Sequence, residues 1–114
     1  MLKSMPLIIG DSSVRKNLNR FNSREKALRK LLLFWNDEKR GKKLNGSLED
    51  FYSIRYPMQN DEGRLVIHPF WQENIAYVGE ADSRNKVYKK AKRKIKTMEE
   101  IIRVVEKANL TSLI

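Results

Sequence analysis

A block of positive charge in the last third of the chain is the part of this sequence whose residue types and spacing most directly indicate chemistry. Seven cations fall within eleven residues with no acid among them: Lys86, Lys89, Lys90, Lys92, Arg93, Lys94 and Lys96. On a helix, at about 100° per residue, they cover most of the circumference left by Val87, Ala91 and Ile95. Such cations bind phosphate backbones without reading sequence, and their affinity falls steeply with salt. A solubilising face is the alternative, but the absence of interleaved acids favours an anionic partner.

A second basic cluster and a single histidine complete the candidates. The stretch KRGKK at 39–43 adds Lys42 and Lys43 ahead of a predicted strand. His68 is the only histidine, and an imidazole titrates near neutral pH, where it can exchange protons. A lone histidine beside Pro69 is equally typical of a structural residue. Both interpretations of His68 stay open.

Composition restricts the class of protein. The chain has 114 residues, 40% of them hydrophobic, and a formal net charge of +10, which together predict one globular domain over 1–114. Nucleic acid, the ribosome, an acidic protein or an anionic membrane surface would each offset the self-repulsion of that charge. The sequence contains no cysteine, which excludes disulfides and thiolate chemistry. The longest apolar run, LLLFW at 31–35, is too short to cross a bilayer, and the N-terminus lacks a signal-peptide core, so a cytoplasmic protein without membrane contact is expected.

The first forty residues are predicted as a strand and a helical hairpin. The strand covers 6–9, and the first helix runs roughly over 12–21. Its apolar face carries Val14, Leu18 and Phe21. A capping box of Asn22 and Glu25 is predicted to begin the second helix, and Gly41 to end it. The apolar face of that helix carries Leu28, Leu31, Leu32 and Trp35.

The second half is predicted as sheet followed by one long helix. Strands are expected at 50–57, 64–70 and 75–79, with turns at 59–63 and 72–74. On the first strand, alternation places Tyr52, Ile54 and Tyr56 on one face and Phe51, Ser53 and Arg55 on the other. On the next, Leu65 and Ile67 point opposite to Arg64, Val66 and His68, and Pro69 is expected to bend or fray the strand.

The final helix is predicted to begin after a Ser83 cap. Its core-facing stripe comprises Val87, Ala91, Ile95, Met98, Ile102 and Val105. The resulting order is β-α-α-β-β-β-α, an α+β fold with a small antiparallel sheet, an N-terminal helical hairpin and a long C-terminal helix. The apolar residues after Thr97 either complete the core, dock a partner helix or form a homodimer, and the sequence leaves these alternatives open.

Three segments in series resemble the toxins of the RelE/ParE superfamily: GKKLNGSLEDFYSIRY, EGRLVIHPF and VGEADSRNKVYKKAKRKI. The resemblance covers roughly 41–96 and implies a RelE-like fold. It further implies a ribosome-dependent mRNA endoribonuclease that inhibits translation, needs no metal or other cofactor, contacts mRNA and rRNA, and forms a hetero-oligomer with a cognate acidic antitoxin. The alternative is a non-enzymatic protein, either a ParE-like inhibitor of DNA gyrase or an RNA-binding relative without catalysis.

The resemblance also implies roles for individual residues. Arg64 matches the arginine that clamps the scissile phosphate, and Arg55 matches a basic position on the preceding strand. Arg84 and Tyr88 fall on the closing motif, where Tyr88 would act as a general base or stack on a nucleotide. The structural alternatives are an Arg64 paired with Glu62 or Glu80, a solvated Arg55, and a Tyr88 that packs near Val87.

One departure from the superfamily pattern concerns acids. Where relatives carry a further basic residue after V-G, this chain has Glu80 and Asp82, and two carboxylates near a phosphate site oppose phosphate binding. A carboxylate is compatible with a phosphate site there if it acts as a proton donor or acceptor together with a histidine. His68 lies within about 14 Å of Arg64 along the same strand face. Asp82 is otherwise expected in a turn or a cap.

Overall fold

The computed structural model describes residues 5–20 and 22–112, and the side chains up to residue 108. Five strands and four helices follow one another along the chain: β1 (Leu7–Gly10), α1 (Ser12–Arg20), α2 (Arg24–Asn36), β2 (Lys42–Lys43), β3 (Tyr52–Met58), β4 (Asp61–Phe70), β5 (Ile75–Ser83), α3 (Arg84–Arg93) and α4 (Ile95–Ser112). Short 3-10 turns at Glu38–Arg40 and Gly46–Leu48 flank β2. Phe21, predicted to pack on the first helix, lies outside the described residues.

The strands form a single mixed sheet in the order β1-β5-β4-β3-β2. Strands β3, β4 and β5 are an antiparallel meander, but β1 pairs in parallel with β5, with Leu7 opposite Ile75. The prediction of an antiparallel sheet was therefore wrong for this edge. Whether a strand pairs in parallel or antiparallel depends on where the chain returns in space. A four-residue apolar run does not indicate which of the two occurs.

The helices cover both faces of the sheet and create two cores. Helices α1 and α2 pack on the face that carries Ile54, Leu65 and Ile67. Helices α3 and α4 pack on the face that carries Phe51 and Val66. The predicted alternation on β3 and β4 is confirmed, because the apolar members of the two predicted side-chain sets enter different cores.

The beginning of α2 differs from the prediction. No capping box forms: Asn22 takes a left-handed conformation at φ 50°, and α2 begins at Arg24 after Ser23. The backbone carbonyl of Ser23 accepts the Ala27 N–H at 2.9 Å, while its hydroxyl lies 3.3 Å from the Leu18 carbonyl oxygen. Asparagine tolerates the left-handed turn between two helices, and that use competes with its use as a cap.

The end of α2 also lies earlier than predicted. The helix stops at Asn36, and Gly41 instead ends the 3-10 turn that follows. A Cβ atom at Gly41 would lie 2.6 Å from the Phe34 ring, so the chain can approach α2 this closely only at a glycine. On the helix itself Leu31 and Trp35 are buried as predicted, joined by Ala27 and Phe34, while Leu28 and Leu32 are half-buried.

Two strands are longer than predicted. The β3–β4 hairpin turns through Gln59 and Asn60 alone, with Asn60 at φ 61°, so residues 61–63 belong to β4. Strand β4 also continues through Pro69, which stays paired with Ala76. Strand β5 extends to Ser83, and Gly79 bulges out of its pairing with β4. A Cβ atom at Gly79 would lie 2.5 Å from the Met98 sulfur, which shows how closely α4 approaches the sheet.

The predicted long C-terminal helix is two helices. The helix is interrupted at Lys94, which follows the last residue of α3 and has a φ of −108° and a ψ of 20°. Helix α4 then begins at Ile95. The predicted apolar stripe nevertheless faces the core, with Val87, Ala91 and Met98 fully buried. The first part of α4 therefore completes the second core. The side chains of 109–114, which include Leu110, Leu113 and Ile114, lie outside the described set.

Candidate active site

A cationic cleft of about 570 Å³ opens at the edge of the sheet beside β3. Strand β2 pairs only with Tyr52 and Ser53, so the rest of β3 has an open edge. Residues of α2, β2, β3, β4 and α3 surround that edge. Seven of the lining residues are cations: Lys30, Lys39, Arg40, Lys42, Arg55, Arg64 and Arg84. The remaining lining residues are Leu33, Gly41, Ser53, Ile54 and Tyr88. The lining has the character of a site for an anion.

Arg64 is the buried cation of this cleft. Its side chain is only 8% exposed, and its Nη1 atom lies 2.8 Å from Glu62 Oε2. Among the described residues no acceptor is aligned for a hydrogen bond with Nη1, so the contact with Glu62 is an ion pair without a directed hydrogen bond. Burial by itself would lower the pKa of Arg64, but its polar contacts with Glu62 and Tyr88 outweigh it and raise the pKa. Arg64 therefore stays charged and keeps capacity to donate.

Tyr88 and Ser53 form a hydrogen-bonded pair next to Arg64. The two hydroxyl oxygens are 2.7 Å apart, and the Tyr88 hydroxyl also contacts the Arg64 guanidinium. Ser53 is buried on β3, in register with Lys42 of β2 and Val66 of β4. The sequence analysis did not select Ser53 as a site residue. Strand alternation already placed it on the Arg55 face, and this was the available signal.

Arg55 and Arg84 complete the group and share one acid with Arg64. The Arg55 side chain is 77% exposed, and its Nε lies 3.6 Å from Glu62 Oε1. Arg64 first, and then Arg55 and Arg84, hold the pKa of Glu62 below its ordinary value. Of the two acids considered as structural partners for Arg64, Glu62 is the one that pairs with it. The structure thus brings together four of the five predicted catalytic residues.

The far wall of the cleft was only partly predicted. The KRGKK stretch contributes Lys39, Arg40 and Lys42, but Lys30 and Leu33 come from α2, which the sequence analysis interpreted only as a packing helix. Lys43, the second lysine predicted on β2, is outside the lining and lies 5.8 Å from the centre of the Tyr52 ring. Helix periodicity reveals which residues of α2 face the core but not what its exposed residues face.

Comparisons with known proteins were made for this fold. No protein-family model matches the chain, and no curated protein matches it. A solved structure of a mutant of the Escherichia coli toxin RelE in the free state, with two arginines replaced by alanine, matches at TM-score 0.57 and 22% identity, over 81% of this chain and 99% of that one. The chain has a RelE-like fold. The toxin–antitoxin complex RelBE2 from Mycobacterium tuberculosis is more distant, at TM-score 0.49 and 17% identity over 71% of this chain and 100% of that one.

In this RelE-like fold the two acids after Gly79 lie outside the cleft lining. Asp82 is a strand residue, not part of a turn or cap, and forms an ion pair with Lys90. Burial would raise the pKa of Asp82, but the hydrogen bonds from Lys90 and the Ser83 N–H outweigh it and hold the pKa below its ordinary value. Glu80 lies 3.4 Å from Lys94, whose Nζ also lies 2.8 Å from Asp11. These acids therefore pair with lysines of the basic block.

The block itself divides into two sets. Lys90 and Lys94, both predicted to contact phosphate, are engaged in these ion pairs. The other members are exposed and form no ion pair within the described part of the chain: Lys86, Lys89, Lys92, Arg93 and Lys96. Because α3 ends at Lys94, they are also distributed over two helices rather than one.

His68 is not among the residues that line the cleft. Its ring lies 4.5 Å from that of Phe70 and 5.6 Å from that of Phe51, measured between centroids. Burial lowers the pKa of His68, and the acids Asp50 and Glu106 oppose that shift. Its Nδ1 atom is buried and has no hydrogen-bond partner among the described residues. This is the environment of a packed histidine.

In the described part of the chain no group of three or more histidine, aspartate or glutamate side chains is arranged to hold a metal ion. None of the helices there is long and apolar enough to span a membrane.

Proposed function

We propose that this protein is a ribosome-dependent mRNA endoribonuclease, the toxin of a toxin–antitoxin pair. One observation carries the proposal: a nearly buried arginine, Arg64, lines a cationic cleft, and its buried Nη1 atom has no aligned acceptor among the described residues. A phosphodiester is the ligand that such a guanidinium fits, because its oxygens accept two parallel hydrogen bonds. The RelE-like fold supports the same reaction class by analogy.

The chemistry follows from what metal-free RNA cleavage requires. The 2′-hydroxyl must lose a proton, the pentacovalent phosphorane must be stabilised, and the leaving 5′-oxygen must gain a proton. Arg64 clamps the non-bridging oxygens, and Arg55 and Arg84 neutralise the charge that develops on them. Tyr88, positioned by its hydrogen bond with Ser53, takes the proton of the attacking 2′-hydroxyl as it passes its own hydroxyl proton to solvent, and water supplies the proton to the leaving 5′-oxygen. We assign no proton transfer to His68, because it does not line the cleft.

The two basic surfaces supply the ribosome dependence in this proposal. The exposed cations of the block at 86–96 bind rRNA backbone, and the cations at 39–42 on the cleft wall bind the phosphates of mRNA on either side of the scissile bond. Phosphate contacts carry no sequence information, so in this proposal the ribosome rather than the protein selects the position of the cut. Tight binding then requires both surfaces at once.

An acidic antitoxin fits the opposite side of the protein. An apolar groove of about 420 Å³ lies between β1, α1 and α2, and Arg15 and Arg24 are among its lining residues. We expect an amphipathic acidic segment there, because the net charge of +10 attracts acidic partners and the groove offers an apolar surface between two cations. An adjacent small reading frame that encodes an acidic protein would supply the partner for a binding assay, in which R15E/R24E weakens the complex.

The decisive test uses ribosomes programmed with a defined mRNA, followed by primer extension. The wild-type protein cuts the mRNA only when ribosomes are present, and Arg64→Ala lowers the cleavage rate by about 10²–10³-fold, the usual effect of losing one donor to a developing oxyanion. Arg103→Ala, an exposed arginine of α4, is the matched control and cuts at the wild-type rate. Circular dichroism checks that both variants are folded.

A parallel assay of the same protein with DNA gyrase and plasmid DNA distinguishes the alternative function. Intact mRNA together with trapped gyrase–DNA complexes would contradict the nuclease proposal and indicate ParE-like inhibition. Binding to ribosomes without any cut would indicate an RNA-binding relative that has lost catalysis.

A further inference from the structure

Glu62 is an acid in direct contact with the arginines of the cleft. It precedes Arg64 by two residues on β4, so both side chains leave the same face of the strand. Its two carboxylate oxygens are divided between two partners, with Oε2 at 2.8 Å from Arg64 and Oε1 at 3.6 Å from Arg55. Arg84 also lowers the pKa of Glu62, after the larger contribution of Arg64. One carboxylate therefore contacts two guanidinium groups, those of Arg64 and Arg55.

The strand register explains why an anion is needed at this place. Arg55 and Arg64 are directly opposite each other on β3 and β4. Like charges in such a cross-strand pair repel, and the burial of Arg64 strengthens that repulsion. Glu62 offsets it from the neighbouring position. A bound phosphodiester would offset it equally well, since it presents the same pair of oxygens to the same guanidinium groups.

The contact between Glu62 and Arg64 is replaceable. The Glu62 side chain is 38% exposed, so it can turn toward water without unfolding any element. It also leaves Nη1 of Arg64 without a directed hydrogen bond. A ligand that aligns two oxygens with the guanidinium would make the better contact, and Glu62 would then be expelled by charge repulsion.

We propose that Glu62 is an internal counter-ion that occupies the arginine cluster in the free protein and is displaced when a phosphodiester enters the cleft. It thereby lowers the affinity for RNA that is held by this cleft alone, and it favours RNA whose phosphate is already fixed by the ribosome. This inference rests on the proposed function, because it takes RNA phosphate as the ligand of the cleft.

The test measures binding of RNA that cannot be cut. A fluorescein-labelled oligonucleotide with 2′-O-methyl groups throughout lacks the attacking hydroxyl, so fluorescence anisotropy reports affinity without cleavage. Glu62→Gln keeps the shape of the side chain and removes its charge, and it should bind this RNA about three- to tenfold more tightly than wild type, the gain expected from removing one partly exposed competing charge. Glu99→Gln changes the net charge by the same amount on exposed α4 and should shift affinity far less. Arg64→Ala in the Glu62→Gln background should abolish the gain.

Several results would overturn the inference. Equal gains from Glu62→Gln and Glu99→Gln would mean that only net charge matters. Weaker binding by Glu62→Gln would mean that Glu62 holds Arg64 in position for the ligand. No binding by either protein would remove the phosphodiester from the cleft altogether.

The ribosome assay separates this inference from the proposed function. Cleavage of ribosome-bound mRNA without a selective gain for Glu62→Gln overturns the counter-ion alone. A selective gain without any cleavage overturns the nuclease and supports the counter-ion in an RNA-binding protein.

Discussion

The cleft around Arg64 and the end of α3 around Lys90 and Lys94 are both cationic regions with acids among their cations, yet the acids act differently. At the end of α3, Asp82 and Glu80 are buried and pair with lysines that reach them from the helix. Beside the cleft, Glu62 is partly exposed and is shared between two of the arginines that line it, Arg55 and Arg64. The first region uses its charges to hold elements together, and the second leaves charge available to a ligand. A count of cations cannot make this distinction, whereas the pairing does.

The largest expected effect is in the cleft. Tyr88→Phe removes only the hydroxyl that contacts Ser53 and Arg64, and it should lower the single-turnover cleavage rate on ribosome-bound mRNA by about 10²-fold or more, the contribution typical of a proton-transfer group. Tyr56→Phe is the matched control, because the buried Tyr56 hydroxyl has no hydrogen-bond partner among the described residues. A rate for Tyr88→Phe equal to that of Tyr56→Phe would remove Tyr88 from the chemistry.

The second effect is on stability, at the end of α3. Lys94→Met leaves the Glu80 carboxylate buried without its cation and frees Asp11, and it should lower the free energy of unfolding in urea by about 2–3 kcal/mol. Lys92→Met, on the exposed side of α3, should change the free energy of unfolding by less than about 0.5 kcal/mol. Equal losses for the two lysines would contradict the division of the block into paired and unpaired cations.

The third effect reverses the order of the same two lysines. Affinity for ribosomes or RNA should fall with salt, and Lys92→Met should reduce the slope of log affinity against log salt by about 0.7–0.9 for a lost phosphate contact. Lys94→Met should leave that slope unchanged, because its charge is already neutralised within the protein. A change in slope for Lys94→Met alone would mean that the ion pairs open on binding.

The smallest effect is the response to acid. The pKa values of Asp11 and Asp82 are lowered in the folded protein: burial opposes the charged forms, but Lys94 and Lys90 outweigh it. Their stabilising contribution is therefore complete above the ordinary aspartate pKa of 3.8, and it is lost as the pH falls through the lower folded values. Urea unfolding from pH 6 down to pH 3 should show this loss, and Asp82→Asn should make the decline shallower. An unchanged decline would mean that Lys90 does not stabilise the ionised form.

Local structure was largely accessible from the sequence. Alternation on β3 and β4 assigned side chains to the correct faces, and the stripe from Val87 to Met98 identified the core side of the last helices. The errors lie at boundaries. Asn22 adopts a left-handed conformation in the turn between α1 and α2 and does not cap a helix. Lys94 separates α3 from α4, although the residue pattern predicted one continuous helix. Each error arose where a residue type suits two local conformations.

The candidate site divides in the same way. Arg55, Arg64, Arg84 and Tyr88 were predicted together and line one cleft. Ser53 was missed although strand alternation placed it on the Arg55 face. Lys30 and Leu33 were missed because helix periodicity does not indicate what the exposed residues of α2 face. His68 was predicted as a catalytic residue because an imidazole can exchange protons near neutral pH. In the structure its ring lies between those of Phe51 and Phe70, away from the cleft that a substrate would enter.

The sequence by itself determined the composition of the surface and the periodicity of the core: a strongly basic chain with the strand and helix patterns of an α+β fold. Only the tertiary structure decided which charges are available. Lys94 meets Asp11 across 83 residues of chain, and β1 closes the sheet in parallel beside β5. The attraction between two charges depends on their distance in space and weakens as they separate. The order of residue types along a chain does not give these distances.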